Sequence, residues 1–324
     1  MSSPGAQLSS QPPPPGYSAI ELLRFRWLAS YSQLRTAWDT FRHNPLGILG
    51  LVVILLFAIS TVIHPLLVGT VWPDRIYNPV TGFDSKAFPH PTAPNDVHLL
   101  GTDNFGRDIL SQLVFAARSS FYVGLGAAGV AVMISTLMGG VAGYFGRLPN
   151  TIMMGIADVF VLAPAPIILL IFGLVVKLEV WHIILLYGSL VGLGGQAIVV
   201  KSHTLSISTQ AYIDAARLSG GSDFHILRVH IIPALLPLAL VHAVFTVVGA
   251  VLTESLLSFF SRSTDVITWG SMIFLNQRTF RWFTLEGQWH AIVYPALAIM
   301  FFCSAFYLIG RALDEIVNPK LRKR

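Results

Sequence analysis

Charged residues and cysteine are both scarce in this sequence. Asp, Glu, Lys and Arg make up 11% of the 324 residues, whereas they make up about 25% of a typical soluble protein. Hydrophobic residues make up 54% and the mean hydropathy is +0.66, which excludes an ordinary soluble domain and indicates a membrane protein. The single cysteine, Cys303, excludes an intrachain disulfide and a cysteine-based zinc site.

Two familiar sequence signals are absent as well. No Gly-Lys-Ser or Gly-Lys-Thr occurs, so the chain lacks the Walker A loop that binds nucleotide phosphates, and any ATP must be hydrolysed elsewhere. The Pro- and Ser-rich residues 1–18 lack the basic-then-apolar order of a cleaved signal peptide. We therefore expect a disordered cytoplasmic tail there, and a first membrane crossing that is retained in the mature protein.

Long apolar stretches are abundant. A helix needs about 20 apolar residues to cross the hydrocarbon core of a bilayer, and six stretches approach or exceed that length. They are 46–63, 121–144, 152–176, 180–200, 235–259 and 292–309. The sequence therefore predicts an all-α polytopic membrane protein with six transmembrane helices.

The distribution of basic residues predicts the orientation. With the N-terminus inside, thirteen of the 21 Lys and Arg residues lie in cytoplasmic segments, as the positive-inside rule requires. Both termini are then cytoplasmic. The net charge of +5 is explained as an orientation signal, and we expect no nucleic-acid partner.

The segments outside the core also have distinct patterns. Large apolar residues at helical spacing predict an amphipathic helix over 19–44, lying on the inner membrane surface or packed on a partner protein. Its stripe consists of Leu23, Trp27, Tyr31, Leu34, Trp38 and Phe41. The remaining divisions are a first transmembrane helix over 45–68, an extracellular loop over 69–118, a five-helix core over 119–312 and a basic tail over 313–324.

The extracellular loop ends in a motif rich in glycine and aspartate. We expect Thr102 or Asp103 to cap a turn, and an amphipathic helix to start at Ile109. His98, Asp103 and Asp108 are conceivable metal ligands, but capping and Asp–Arg pairing explain them at lower cost, so we predict no metal site. The candidate residues of the motif are Gly101, Thr102, Asp103, Gly106, Arg107 and Asp108.

The longest cytoplasmic loop, 202–236, carries the strongest functional signal. Ser208 or Thr209 is expected to cap a short helix with a small-residue face of Tyr212, Ala215, Ala216 and Ser219, and Gly220-Gly221 to end it with a left-handed turn. A second helix is predicted from Ser222 or Asp223 to Pro233. Such a rigid protrusion can dock into a groove on another protein; the alternative is a plain interhelical linker.

Several motifs together resemble a known family. Asp214-Ala-Ala, followed by Gly220 and by His230-Ile-Ile-Pro233, resembles the EAA coupling loop of binding-protein-dependent ABC importer permeases, with Asp in place of the usual Glu. From residue 42 to the end, further stretches resemble the C-type permease subunit of dipeptide and oligopeptide importers. These stretches are 98–113, 140–146, 215–223, 253–259, 269–273 and 318–322.

The resemblance implies a type I ABC importer permease architecture in a prokaryotic plasma (inner) membrane. It implies a heterodimer with a B-type permease subunit, two ATPase subunits that bind ATP and Mg, and an extracellular solute-binding protein; this chain itself performs no catalysis and binds no cofactor. Substrates of such relatives include peptides, nickel complexes, haem, glutathione and oligosaccharides. The implied ATPase-coupling residues are Tyr212, Asp214, Ala215, Ala216, Arg217, Gly220 and Pro233.

An ATP-independent secondary transporter is the competing interpretation. Such carriers place ionisable residues at mid-membrane and break corresponding helices in their two halves. Asp158 and Glu254, together with His242, are the ionisable candidates. Pro164 and Pro166 predict a break in the third span alone. Asp158 and Glu254 either line the solute pathway or are polar residues satisfied between packed helices.

Overall fold

A computed structural model describes residues 38–87, 90–260, 267–278 and 289–317. The predicted tail 1–18, most of the amphipathic helix 19–44 and the basic residues 318–324 lie outside the described residues. Residues 38–41 are helical, and the rings of Trp38 and Phe41 stack with centroids 5.8 Å apart. The short helical piece therefore agrees with the last turn of the predicted amphipathic helix.

Helices make up the described secondary structure apart from two isolated β-bridges. Four stretches are long and apolar enough to cross a membrane: Pro45–Leu67 (α1), Ile109–Phe145 (α3), Asp223–Phe260 and His290–Val317 (α12). The segment between α1 and α3, which is predicted to be extracellular and is called the external region below, holds a short helix, Asp74–Tyr77 (α2), and a 3-10 turn, Ser85–Ala87. Helix α1 exposes many leucines and valines along its length, as a lipid-facing helix does.

Two further spans are bent pairs of helices. Arg147–Val161 (α4) and Ala165–Val175 (α5) meet at 73°, and Val180–Leu193 (α6) and Gly195–Ser208 (α7) meet at 45°. Each pair counted as one span gives the predicted six. The expectation of a break in the third span alone was wrong, because the consecutive glycines Gly194 and Gly195 interrupt the fourth span as well.

Helix α3 is the centre of the bundle and packs against α1, α4, α6, α7 and the helix Ile232–Phe260 (α10). It begins at Ile109 as expected, but it runs unbroken through the end of the predicted extracellular loop at 118. Asp108 caps it, since its Oδ1 accepts a 2.7 Å hydrogen bond from the backbone N–H of Ser111. Glycines allow close contact: a Cβ on Gly139 would lie 2.6 Å from the carbonyl oxygen of Ala197 in α7.

The second helix of the predicted cytoplasmic loop does not end at Pro233, contrary to the prediction. Asp223–Ile226 (α9) continues through a π-helical turn, Leu227–Ile231, into Ile232–Phe260 (α10). Within that turn the N–H of Ile232 bonds to the carbonyl of Leu227, five residues back. This wider turn accommodates Pro233, because the ring and the missing N–H of a proline disrupt a regular α-helix.

Aromatic packing fixes the external end of the bundle. Trp269 lies at the start of Trp269–Arg278 (α11), and its ring centroid is 5.4 Å from that of Phe302 in α12. Phe57 of α1 contacts the same Phe302 ring at 5.5 Å. The indole Nε1–H of Trp269 donates a 3.0 Å hydrogen bond to the carbonyl of Leu113. Four helices, α1, α3, α11 and α12, are thereby held together.

Candidate functional site

The predicted coupling loop forms a protrusion at one end of the bundle, residues 210–226. Its first helix is Ala211–Leu218 (α8), and Gln210 is the N-cap residue. The expected caps Ser208 and Thr209 were wrong, because α7 extends through Ser208 and both hydroxyls bond back to carbonyls within that helix. Ile213 anchors α8: it is fully buried and belongs to the same apolar cluster as Ile226 and Leu227.

The glycine corner of the protrusion has the predicted geometry. Gly220 has φ +82° and its N–H bonds to the carbonyl of Arg217 at 3.0 Å, while the N–H of Gly221 reaches the carbonyl of Ala216 at 3.1 Å. This pair of bonds is the Schellman motif that ends many helices. Ser222 then caps α9 with a bond from the N–H of His225. The corner therefore holds α8 and α9 in a defined relative orientation.

The exposed face of the protrusion differs from the predicted one. Asp214, Ala215 and Arg217 are exposed, but Ala216 is half-buried on the side of Ile213. Leu218 and Phe224, which the sequence interpretation missed, are 90% and 70% exposed, and Tyr212 is 48% exposed. Their signal was available, since an apolar residue lies on each side of the Gly-Gly corner.

Two side-chain contacts join the protrusion to the end of α3. The hydroxyl of Tyr144 donates a 2.7 Å hydrogen bond to Oδ1 of Asp223. The guanidinium of Arg217 lies over the Tyr144 ring at 5.4 Å and pairs with Asp214 at 3.2 Å. Because α9 is also continuous with α10, the protrusion is connected to two spans at once. Pro233 lies further along that continuous helix and is exposed.

At the opposite end, Asp103 organises the external motif. Its Oδ1 accepts the backbone N–H groups of Phe105 and Arg107 at 2.9 Å each. Its Oδ2 forms a 2.6 Å ion pair with Arg107 and accepts a 3.0 Å bond from the amide of Gln112. The predicted turn capping and Asp–Arg pairing are confirmed. Among the described residues no group of three or more potential ligands has the geometry of a metal site.

His98 is the buried centre of the external region. Its Nδ1 lies 2.9 Å from Asp108 Oδ2, and its Nε2 lies 3.4 Å from Asp84 Oδ2. The hydrogen bond to Asp108 raises the pKa of His98 above its ordinary value. The pKa of Asp84 is lowered, chiefly by the backbone N–H of Lys86 and further by His98. His98 therefore joins the loop between α2 and α3 to the start of α3.

Backbone geometry explains both glycines of the motif. Gly101 has φ +80° and Gly106 has φ +77°, a region that L side chains rarely adopt. A Cβ on Gly101 would also lie 2.5 Å from the carbonyl oxygen of Thr92. Thr102 uses its hydroxyl to accept the N–H of Thr92 at 2.8 Å. The motif is thus a packed structural core of the external region, tied to α11 by bonds from Asn104 to Asn276.

The two candidate pathway carboxylates are not brought together. Asp158 is exposed on α4, whereas Glu254 on α10 is only 1% exposed. Glu254 lines a cavity of about 410 Å³ between α5, α6 and α10, and Asp158 is not among its lining residues. His242 lines a different cavity beside the breaks in the bent spans, together with Gln196. Glu254 alone thus combines burial, charge and a cavity.

Comparison with known proteins gives consistent results across the chain. Residues 135–323 match the family described as binding-protein-dependent transport system inner membrane component, and residues 32–85 match the N-terminal TM domain of oligopeptide transport permease C. The chain is 29% identical to the dipeptide transport system permease protein DppC of Bacillus subtilis, covering 91% of this chain and 88% of that protein.

Two other relatives are similar over comparable lengths. The oligopeptide transport system permease protein OppC of Haemophilus influenzae is 27% identical, over 89% of this chain and 90% of that protein. The glutathione transport system permease protein GsiD of Pectobacterium atrosepticum is 27% identical, over 89% of this chain and 93% of that protein.

Proposed function

The chain belongs to the family of binding-protein-dependent transport system inner membrane components, and from that premise we propose that it is the C-type permease subunit of a peptide importer. It is a multi-pass inner membrane protein and an ABC importer permease rather than an enzyme. This membership decides against the secondary-transporter alternative. Peptides are the proposed substrates because the relatives named above are permeases of dipeptide, oligopeptide and glutathione systems.

The protrusion 210–226 is the observation that carries the proposal. It presents Leu218 and Phe224 to solvent, although burying a leucine or phenylalanine is worth about 1.5–3 kcal/mol. A groove on an ATPase subunit that covers these side chains gains that free energy. We assign one ATPase to this protrusion and the second to the B-type permease partner, with ATP and Mg bound by the ATPases and substrate delivered by an extracellular solute-binding protein.

Transmission follows from the covalent and hydrogen-bonded connections. When ATP closes the two ATPase subunits, the docked protrusion is displaced as a rigid unit because of its Schellman corner and the buried Ile213. The displacement passes into α10 through the continuous helix 223–260 and into α3 through Tyr144. Hydrolysis reverses the motion, so the pathway alternates between its two openings.

Cysteine labelling tests both the orientation and the docking surface. In a Cys303→Ala background, single cysteines replace Leu218 in the protrusion, Leu148 at the same end of the bundle and Ser85 in the external region. Leu148 is 73% exposed and is a matched control outside the protrusion. An impermeant thiol reagent should label the Ser85 position in intact cells and the other two only after permeabilisation.

Co-expression of the ATPase should reduce labelling at position 218 and leave position 148 unchanged. Labelling of position 218 from outside would show that the orientation is the opposite of the predicted one and would contradict the proposal. Equal labelling at 218 with and without the ATPase would keep the orientation but remove the proposed docking surface.

A further inference from the structure

The cavity at Glu254 has an exposed rim and a buried floor. Its rim lies at the turn between α5 and α6, where Leu174, Lys177, Glu179 and Trp181 are all exposed. This turn is at the end of the bundle opposite the protrusion, since it joins the bent span α4–α5 to the bent span α6–α7, and each of these pairs runs between the two ends. Ligand sites in proteins commonly occupy about 300–1,000 Å³, so a cavity of about 410 Å³ is large enough for a small peptide.

The floor of the cavity is polar. Glu254 Oε1 accepts a 3.3 Å hydrogen bond from the hydroxyl of Ser258, while Oε2 is buried and has no hydrogen-bond partner among the described residues. The hydroxyl of Ser119, which also lines the cavity, is likewise buried without a partner in the described part of the chain. Two polar atoms at the floor are therefore available to a ligand.

The polar groups at the floor of the cavity favour a ligand that carries a positive charge and can donate hydrogen bonds. The described groups that act on the Glu254 carboxyl are the hydroxyls of Ser255, Ser258 and Thr268, and none of them carries a positive charge. A buried carboxylate is costly unless a cation pairs with it or it takes up a proton. An ammonium group supplies both the positive charge and the N–H donors that Oε2 lacks.

The side chains that form the walls of the cavity indicate what the uncharged part of the ligand is. They are largely aliphatic, being formed by Leu170, Leu174, Leu178, Ile183 and Leu257. A molecule with an ammonium group on a short aliphatic body matches both the walls and the floor. A peptide with a free amino terminus has this form, whereas a peptide with a blocked terminus lacks the charge.

We propose that the Glu254 cavity is a binding site for the free amino terminus of a transported peptide, with the Glu254 carboxylate as the partner of the ammonium group. This assignment rests on the proposed function as a peptide importer, and it adds the chemical group that the pathway recognises. The aliphatic walls receive the first side chain, and the rim at Glu179 and Trp181 is the entrance.

Carbodiimide protection tests the site directly and without the solute-binding protein. The purified transporter, assembled with its partner permease and ATPases, is treated with a hydrophobic carbodiimide, and modification of Glu254 is measured by mass spectrometry. Alanyl-leucine should protect Glu254. N-acetyl-alanyl-leucine should require at least about tenfold higher concentration for the same protection, because it lacks the charge-assisted hydrogen bonds.

Two variants provide controls. Glu254→Gln should retain assembly and lose modification at this position, and in the complete system its KM for alanyl-leucine should rise at least about tenfold. Asp96→Asn changes an exposed carboxyl of the external region that does not line the cavity. It should leave the tenfold ratio between the two dipeptides unchanged.

Each outcome has a distinct meaning. Equal protection by the free and acetylated dipeptides would overturn the ammonium assignment. No protection by either dipeptide, in a transporter that still imports alanyl-leucine, would overturn the site while leaving peptide import intact. Failure of the complete wild-type system to import any peptide would instead contradict the proposed function.

Discussion

The phenolic hydroxyl of Tyr144 donates a 2.7 Å hydrogen bond to Oδ1 of Asp223, and this contact joins the last turn of α3 to the first residue of α9. Residue 144 lies on the central helix of the bundle, while residue 223 begins the helix that continues into α10. The bond therefore connects two spans at the base of the protrusion, where the proposed function requires the movement of a docked ATPase to enter the membrane domain.

Removing this hydrogen bond should weaken coupling. Tyr144→Phe keeps the ring beneath Arg217 but loses the donor, a change worth about 0.5–1.5 kcal/mol. Peptide uptake and substrate-stimulated ATP hydrolysis should fall together by several-fold, with the membrane level of the protein unchanged. Tyr307→Phe on α12, where the ring is 49% exposed, is the matched control and should behave as wild type. Unchanged uptake by Tyr144→Phe would remove this bond from the transmission path.

Position 220, at the corner of the protrusion, should accept a residue according to how readily that residue adopts a positive φ. A Cβ on Gly220 meets nothing within 4 Å, so its φ of +82° is the only constraint on substitution. Valine there costs upward of about 1 kcal/mol and should disorder the corner, whereas asparagine tolerates this conformation. We expect Gly220→Val to lose uptake and stimulated ATP turnover while still inserting into the membrane. Gly220→Asn should retain most of both, and equal loss in the two variants would contradict the backbone explanation.

The external region should lose stability as the pH rises through the folded pKa of His98. The pKa of His98 is raised by its hydrogen bond to Asp108, so its contribution to stability is fully present below the ordinary histidine pKa of 6.5 and is lost as pH rises through the higher folded value. The protection of residues 74–87 and 90–108 against hydrogen exchange, after correction for the intrinsic exchange rate, which itself rises with pH, should therefore fall above that value. His98→Gln should abolish this dependence.

His203→Gln is the control for the pH series, because His203 is exposed on α7, far along the chain from the external region. This variant should show the same loss of exchange protection with rising pH as the wild-type protein. If the exchange protection of the external region in the wild-type protein changes with pH no more than in His98→Gln, the His98–Asp108 contact contributes no pH-dependent stability.

Because α3 packs closely against α7, we expect a larger residue at Gly143 to destabilise the protein. A Cβ on Gly143 would lie 2.6 Å from the Cβ of Thr204 and 2.9 Å from the carbonyl oxygen of Lys201. Overpacking of this kind costs about 1–3 kcal/mol. Gly143→Ala should lower the thermal midpoint of the detergent-solubilised protein. Gly129→Ala on the same helix, where a Cβ meets nothing within 4 Å, should not lower it, and equal effects would contradict the packing argument.

Local chemistry allowed much of this protein to be predicted from its sequence. Apolar length alone predicted the six spans, because a crossing helix must satisfy its backbone internally over the thickness of the bilayer. The left-handed stop at Gly220, the start of α3 at Ile109 and the pairing of Asp103 with Arg107 each depend on residues that lie close together in the chain. Interactions over such short sequence separations can be inferred without knowing the fold.

The remaining features depend on contacts between distant segments, and only the tertiary structure decided them. Glu254 and Asp158 are both acidic residues in apolar stretches, yet packing of α5, α6 and α10 buries the first in a cavity and leaves the second exposed. The exposure of Leu218 and Phe224 follows from the burial of Ile213 and Ile226 on the opposite side of the protrusion. The bond between Tyr144 and Asp223 spans 79 residues, a separation at which no periodicity carries information, because the relative position of two helix ends is set by the packing of the whole bundle.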